Sequence, residues 1–422
     1  MSAIPQIAIG VPAERGGYRT FIAILSIIFV AGAATLIYLL ATAPASVPWS
    51  FLTANFIFLL GISQFGIAFT AIMRICRAKW ARPYYRAGEI ATLSFLPFAF
   101  VLFLVIYVYG REQLFFWLAP EPGEHLSHWL NENLLLVRHL GAMSVFYLLT
   151  LVYFLTGLIP DATSDAAADG RGLSGALHRW LWSQRQKRDI DRLKSNMYTL
   201  APVMLVVAVI TNTFIAWDFA MMLIPHYHST VFPMYFILGN MLGGTAAIVI
   251  LAALTSKTLD LGNFFTTFQL KSAGIVITGF ALFWIYMFWA QFFVSWFGNL
   301  PRETEPLSRQ MYGHYGPYFW SMMACVFGIP VGSMVFAYVK RHWWSMLIVC
   351  TIIVFGVWLN RYLLVVPALL PDHRPFASLW ELLIVSGLFS GFLLAFFTLL
   401  RMIPMMSTWE LRDAAGEEGP AY

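Results

Sequence analysis

Apolar runs close to twenty residues long recur along the 422-residue chain, with little charge inside them. That length lets an α-helix cross a hydrocarbon layer about 30 Å thick, at about 1.5 Å per residue. Within such a layer a helix satisfies its own backbone hydrogen bonds, so an all-α integral membrane protein is expected. Ten runs are expected to span: 20–42, 50–72, 89–109, 135–158, 199–222, 231–254, 272–296, 317–338, 344–365 and 379–402. Charged residues make up 11% against 59% hydrophobic, too few to cover a water-exposed surface. Aromatics reach 17%, which suits rings facing lipid and the headgroup belt. Soluble-enzyme, fibrous and disordered readings are excluded. The polar stretch 1–18 precedes the first run with no small-residue cleavage site close behind it, so a retained helix is expected rather than a signal peptide.

The net charge of +5 carries orientation rather than affinity for nucleic acid. Arg74, Arg77, Lys79, Arg82 and Arg86 fill the connection after the second span; Arg171, Arg179, Arg185, Lys187, Arg188, Arg192 and Lys194 fill the one after the fourth. Lys257 and Lys271, then Lys340 and Arg341, mark the next two even-numbered connections. Residues 110–134 carry Glu112, Glu121, Glu124 and Glu132 against Arg111 alone. The positive-inside rule therefore puts both termini in the cytoplasm. Spans two to five and six to nine each begin and end on the outer side. This predicts two four-helix bundles related as a parallel repeat, with spans one and ten peripheral. The corresponding segments are 1–49 (cytoplasmic N-terminus and first helix), 50–224 (first bundle), 225–366 (second bundle) and 367–422 (last helix and tail). The longest extramembrane stretch, about 160–198, is too short for a catalytic domain, so chemistry outside the bilayer is expected from partner chains.

Ionisable groups inside spans are expensive in lipid and are candidates for function. His139, beside Arg138 one turn into the fourth span, is the one histidine expected within a span. Its imidazole, with an ordinary pKa of about 6.5, can bond a quinone carbonyl and pass on a proton; equally, it can be satisfied by a neighbouring helix. Asp218 closes the fifth span, with His226 and His228 in the connection beyond. That group reads as a proton path or headgroup wall, or as a helix-end cluster. Gln64, close to Ser63 in mid-span, reads as interhelical packing or pocket lining. At the cytoplasmic ends, Arg86 stands three residues before Glu89 and predicts an ion pair, with Asp161 nearby in role; both acids are alternatively openings of a proton path. Arg361, beside Asn360, is expected to be buried against a carboxylate or carbonyls.

Cys76, Cys325 and Cys350 lie far apart with no CxxC, which removes iron–sulfur ligation and covalent haem from this chain. One intramembrane histidine cannot supply the axial pair of haem b, and there is no Walker A loop to hydrolyse ATP.

Longer strings carry a resemblance. Residues 66–92 read GIAFTAIMRICRAKWARPYYRAGEIAT, 157–162 read GLIPDA, and 216–238 read AWDFAMMLIPHYHSTVFPMYFIL. Residues 296–303 read WFGNLPRE and 360–367 read NRYLLVVP. The pattern resembles the NrfD/PsrC-like superfamily of quinone-interacting membrane subunits. It looks most like the ten-helix branch found in alternative complex III and the menaquinone reductase (Qrc) complex. The resemblance implies ten helices in two four-helix bundles, and menaquinone bound near the periplasmic face with no redox centre in the chain. It also implies periplasmic partners: an iron–sulfur subunit, a multihaem cytochrome c subunit and a molybdopterin-oxidoreductase-like subunit. Carried over, it makes His139, Arg138, Gln64 and Asp218 the quinone pocket, and Arg86, Glu89, Asp161, His226 and His228 parts of a proton path. The fourth span opens NENLLLVRHLGA, unlike the R-S-P-L-L-W-D string of one alternative complex III subunit, which leaves open the subunit and its quinone ligands. Two other classes remain: a quinone-silent proton-conducting or anchoring subunit, and a secondary transporter, against which stands the lack of a Gly/Pro-broken helix pair.

Overall fold

The computed structural model describes residues 16–44, 46–119, 127–169, 172–225, 227–259, 265–376 and 378–411. Among these residues the regular structure is entirely helical. Nine helices among them are long and apolar enough to cross a membrane, the architecture of a multi-pass membrane protein. The elements that matter below are α1 (Gly16–Thr42), α2 (Ser46–Ile75), α3 (Tyr85–Val105), α4 (Glu132–Leu158), α5 (Gly172–Lys187) and α6 (Ile190–Phe219). They continue with α7 (Phe232–Leu259), α8 (Thr267–Phe297), α9 (Pro301–Met311), α10 (Gly316–Met323), α11 (Ile329–Met334), α12 (Trp343–Leu369) and α13 (Leu379–Leu400).

Polar caps set several of the boundaries. The Asn131 side chain accepts from Leu134 N–H at the start of α4, and Asp189 accepts from Asp191 N–H before α6. Thr266 and Gln269 form a reciprocal capping box before α8. Each satisfies backbone donors that have no partner within their own helix.

The run expected as the eighth span, 317–338, differs from the other nine. It forms α10 and α11 with a π-helical segment, Ala324–Gly328, between them, and it is not among the nine long apolar helices. Pro330 has no N–H to give to the preceding turn, so the ladder widens there instead of continuing as a regular α-helix.

Helix α2 is the axis of the molecule. Of its most apolar stretch 94% is buried, against 22% for α1. It packs against α3, α6, α7 and α12, while α1 lies against α13. Helix α4 packs on α6, and α7 on α8 and α12. The side chains left outside are apolar, such as Ile27 and Ile37 on α1 and Val137 and Leu148 on α4, as lipid-facing positions require.

The α2–α3 crossing depends on two glycines. A Cβ on Gly66 would sit 2.3 Å from the Gly88 carbonyl oxygen, and one on Gly88 would sit 2.5 Å from that of Gly66. Thr92 tightens the crossing by donating to Ser63 O at 2.6 Å and accepting from Ile67 N–H at 2.8 Å. Small residues let helix backbones approach in this way where lipid supplies no hydrophobic drive. The approach sets Arg74 of α2 beside Arg86 and Glu89 of α3. Gly66→Leu is expected to cost about 1–3 kcal/mol by overpacking. Gly141→Ala, where an added Cβ meets nothing within 4 Å, serves as the control and should leave stability unchanged or raised. Thermal unfolding in detergent reads the difference, and equal stability of the two variants would overturn this account of the crossing.

Candidate functional site

Buried ionisable groups gather at both ends of the α2–α3–α4–α6 group. At one end, the inward stripe of α4 begins with Arg138 and His139 and continues through Met143, Phe146, Tyr147, Thr150, Tyr153 and Gly157. The three- and four-residue steps follow from 3.6 residues per turn. Opposite stands Asp218 in the last turn of α6. Its Oδ2 accepts from Arg138 Nε at 2.9 Å and Nη2 at 2.7 Å, and lies 2.6 Å from His139 Nε2. Its Oδ1 accepts from Trp129 Nε1–H at 2.9 Å. The Arg138 guanidinium lies 3.9 Å from the Trp129 ring centroid, so the cation is compensated by a carboxylate and a ring face together. His139 is 2% exposed, with Phe219 and Phe103 at centroid distances of 5.1 and 5.5 Å. With Nε2 engaged by Asp218, Nδ1 is the nitrogen left to accept from a hydroxyl, or to donate to a carbonyl once the ring is protonated.

At the opposite end, Glu89 is fully buried and bridges two guanidiniums, Arg74 Nη1 at 2.8 Å and Arg86 Nη1 at 2.9 Å. Arg86 Nη2 also donates to Asp161 Oδ2 at 2.7 Å and to Gly157 O at 2.6 Å. Arg74 reaches Glu410 through Nε at 2.9 Å and Nη2 at 3.2 Å. Residues 408–411 thus fold back over the cluster. Thr408 Oγ1 and Trp409 N–H donate to Asp161 Oδ1 at 2.7 and 3.0 Å, and Trp409 Nε1–H donates to Gly157 O at 3.0 Å. The ring faces of Tyr85, Tyr153 and Phe154 surround the two guanidiniums. Glu89, Asp161 and Glu410 thus stand with Arg74 and Arg86, largely withdrawn from solvent, and a third guanidinium, Arg82, donates to the Glu410 carbonyl oxygen at 2.8 Å.

A third polar set crosses between helices in the middle. Asn212 Nδ2 donates to Gln64 Oε1 and Asn240 Nδ2 to Asn212 Oδ1, each at 2.9 Å. Asn240 Oδ1 in turn accepts from Arg361 Nη2 at 3.0 Å. Arg361 also donates to Phe236 O at 2.6 Å and Asn360 Oδ1 at 2.9 Å, with the Phe236 ring centroid 3.7 Å away.

The expected residues therefore separate into three places. Arg138, His139 and Asp218 come together. Arg86, Glu89 and Asp161 come together, and the expected Arg86–Glu89 pair is present but buried rather than at the surface. Gln64 joins neither: it stands eight residues beyond Phe56, which packs on Phe219 near Asp218, about 12 Å deeper along α2. Its partner is Asn212, so of its two readings the contact made is interhelical packing. Arg361 meets carbonyls, the second of its two expected environments. His228 is exposed on the connection after α6, and His226 lies outside the described residues.

Sequence reasoning missed Trp129, Arg74 as a site residue, and Thr408, Trp409 and Glu410. Trp129 and Glu410 lie outside the expected spans, so a search for charges within apolar runs passes over them. No protein-family model matches the chain, and no curated protein matches it.

Two predictions follow from these contacts. Asp218→Asn leaves the Arg138 cation buried without its counter-charge, and a loss of about 3–5 kcal/mol is expected. Asp218→Asn combined with Arg138→Gln should lose less, as thermal unfolding of both variants would reveal. On α5, His178 is buried, and that burial pushes its pKa below the ordinary 6.5, partly offset by a backbone hydrogen bond with Met402. A depressed histidine favours the folded contact while neutral, so its contribution is complete above pH 6.5 and is lost as pH falls through the lowered pKa. Hydrogen exchange over 172–187 should accelerate on acidification in the native chain and lose that dependence in His178→Gln.

Proposed function

We propose that the chain is a quinone-interacting subunit of a respiratory oxidoreductase complex, of NrfD/PsrC type. In this reading it has ten spans, counting the interrupted Gly316–Met334 segment, in two four-helix bundles: α2, α3, α4 and α6, then α7, α8, α10–α11 and α12. Helices α1 and α13 pair beside them. Both termini are cytoplasmic, in a bacterial inner membrane. Electrons pass between menaquinone and periplasmic iron–sulfur, multihaem cytochrome c and molybdopterin-oxidoreductase-like partners.

The observation that carries this reading is the pair of buried charge clusters at opposite ends of one helix group. His139 and Asp161 are 22 residues apart, about 33 Å at 1.5 Å per residue, close to a full hydrocarbon thickness. Between them lie the buried Tyr147 hydroxyl, facing Ser63, the Tyr153 hydroxyl, facing Arg74, and Gln64. In this reading these groups mark the path between the two ends. To reach His139 a headgroup parts the Phe103 and Phe219 rings, which pack edge to face at 6.2 Å. His139 Nδ1 then meets its oxygen, while Asp218 fixes the imidazole and stabilises it when protonated. Quinone supplies the redox chemistry; the residues of this chain bind it, orient it and move the accompanying protons. Arg74, Arg86, Glu89, Asp161 and Glu410 form the cytoplasmic opening of the path.

One observation favours a second reading, a quinone-silent anchoring or proton-conducting subunit: Arg138, His139 and Trp129 already engage the Asp218 carboxylate. The transporter reading is weaker. It needs interrupted helices at corresponding positions of the two halves, and α4, the counterpart of the interrupted α10–α11, is continuous.

His139→Ala in the assembled complex should lower quinone turnover by about tenfold or more, as expected for loss of a proton-transfer group. Normal turnover with intact assembly would remove His139 from the site, and normal turnover with slowed proton uptake would favour the second reading.

A further inference from the structure

A buried chain of hydrogen bonds joins α2 and α6 to α7 and α12, and Arg361 stands within it. Arg361 is fully buried, and among the described residues no carboxylate pairs with it. A guanidinium has donors only, so every oxygen it meets must turn its lone pairs inward. Asn240 gives Oδ1 to Arg361 and therefore turns Nδ2 to Asn212 Oδ1; Asn212 in turn donates from Nδ2 to Gln64 Oε1. On the other side Asn360 gives Oδ1 to Arg361 and donates from Nδ2 to Tyr235 Oη at 2.6 Å. Every link thus donates away from Arg361, toward Gln64 in one direction and toward Tyr235 in the other.

The places for these side chains are made by glycines. A Cβ on Gly239 would sit 2.6 Å from Arg361 Nη2, and one on Gly61 would overlap the Asn240 amide. At the Tyr235 end the chain meets a cavity of about 40 Å³, lined in part by Ala220, Tyr227, Tyr235, Gln291 and Gln310 and large enough for water. Ala220 follows Asp218 by two residues, so this cavity lies at the Asp218 end of the molecule. A proton relay requires each group to accept on one side and donate on the other, in one sense throughout. Here the sense reverses at a fixed cation. A proton arriving at Asn360 or at Asn212 meets an N–H, and behind it a positive charge held in a medium of low dielectric. Amides aligned in one sense would connect the cavity with Gln64; amides arranged about an arginine separate them.

We propose that Arg361 is a proton barrier, which separates the cavity at Tyr235 from Gln64. Protons moving along α2, α4 and α6 are thereby kept for His139 and do not escape sideways through α7 and α12 to the water at the Asp218 end. The path that is insulated rests on the reading under Proposed function; the reversal of the chain at a buried cation does not.

The test is proton flux through the full chain in sealed liposomes, driven by a potassium–valinomycin potential and followed with a trapped pH dye. The native chain should be tight. Arg361→Met, which removes the charge, and Asn240→Asp, which sets a carboxylate against it, should each raise the flux by about tenfold, equivalent to about 1.4 kcal/mol of barrier. Arg361→Lys, again a cation with donors only, should stay as tight as the native chain. Asn240→Asp keeps the size of the side chain, so the absence of a rise in this variant overturns the proposal even if Arg361→Met does not fold. A leak in Arg361→Lys equal to that in Arg361→Met also overturns it, because packing rather than charge then makes the seal. Neither result touches the quinone reading, whose failure shows separately as normal turnover in His139→Ala.

Discussion

Glu89 receives Arg74 from α2 and Arg86 from α3, and the organisation of the basic end of the molecule follows from that buried carboxylate. A charge in hydrocarbon has no water to turn to, and removing one partner of a buried pair strands the other at a cost of about 3–5 kcal/mol. The helices that bear such groups must therefore meet. Glu89 and the Gly66–Gly88 contact act on the same crossing, the glycines by allowing close approach and the charges by requiring it. Arg86 then reaches the end of α4 through Asp161 and Gly157, and Arg74 reaches the chain's last described turn through Glu410. One network thus gathers three spans and the C-terminal segment.

The three polar sets solve the same problem differently. At the Glu89 end, charge meets charge through several carboxylates. At the His139 end, a single carboxylate serves an arginine, a histidine and an indole, so any change in the imidazole's protonation bears directly on Asp218. In the middle, Arg361 is held by amide and backbone oxygens with the face of Phe236, and no ion pair to it is found among the described residues. The middle set is suited to joining α2, α6, α7 and α12, because amide side chains hold fixed hydrogen bonds and exchange protons poorly.

The placement of α5 and of residues 408–411 adds a constraint from outside the spans. Both lie against the short turn that carries Asp161: α5 packs on that turn, and Thr408 and Trp409 bond the carboxylate itself. The ring of Trp409 also faces Lys194, at the start of α6. The packing of these segments therefore covers the buried cluster at this end.

Apolar run length alone determined that the chain is helical and membrane-spanning, because lipid leaves the backbone no other way to satisfy its hydrogen bonds. The Arg86–Glu89 pair was equally legible, since it follows from helical periodicity within one segment. The interruption at 324–328 was foreshadowed only by prolines and glycines, which mark where a ladder can break without stating how it will. Only the tertiary structure decided that His139 and Arg138 share Asp218, that Gln64 joins Asn212, and that Glu410 returns to Arg74. These partners lie 79, 80, 148 and 336 residues apart. No local pattern encodes such distances. They are set by which helix faces meet, and that depends on all the buried groups being satisfied at once.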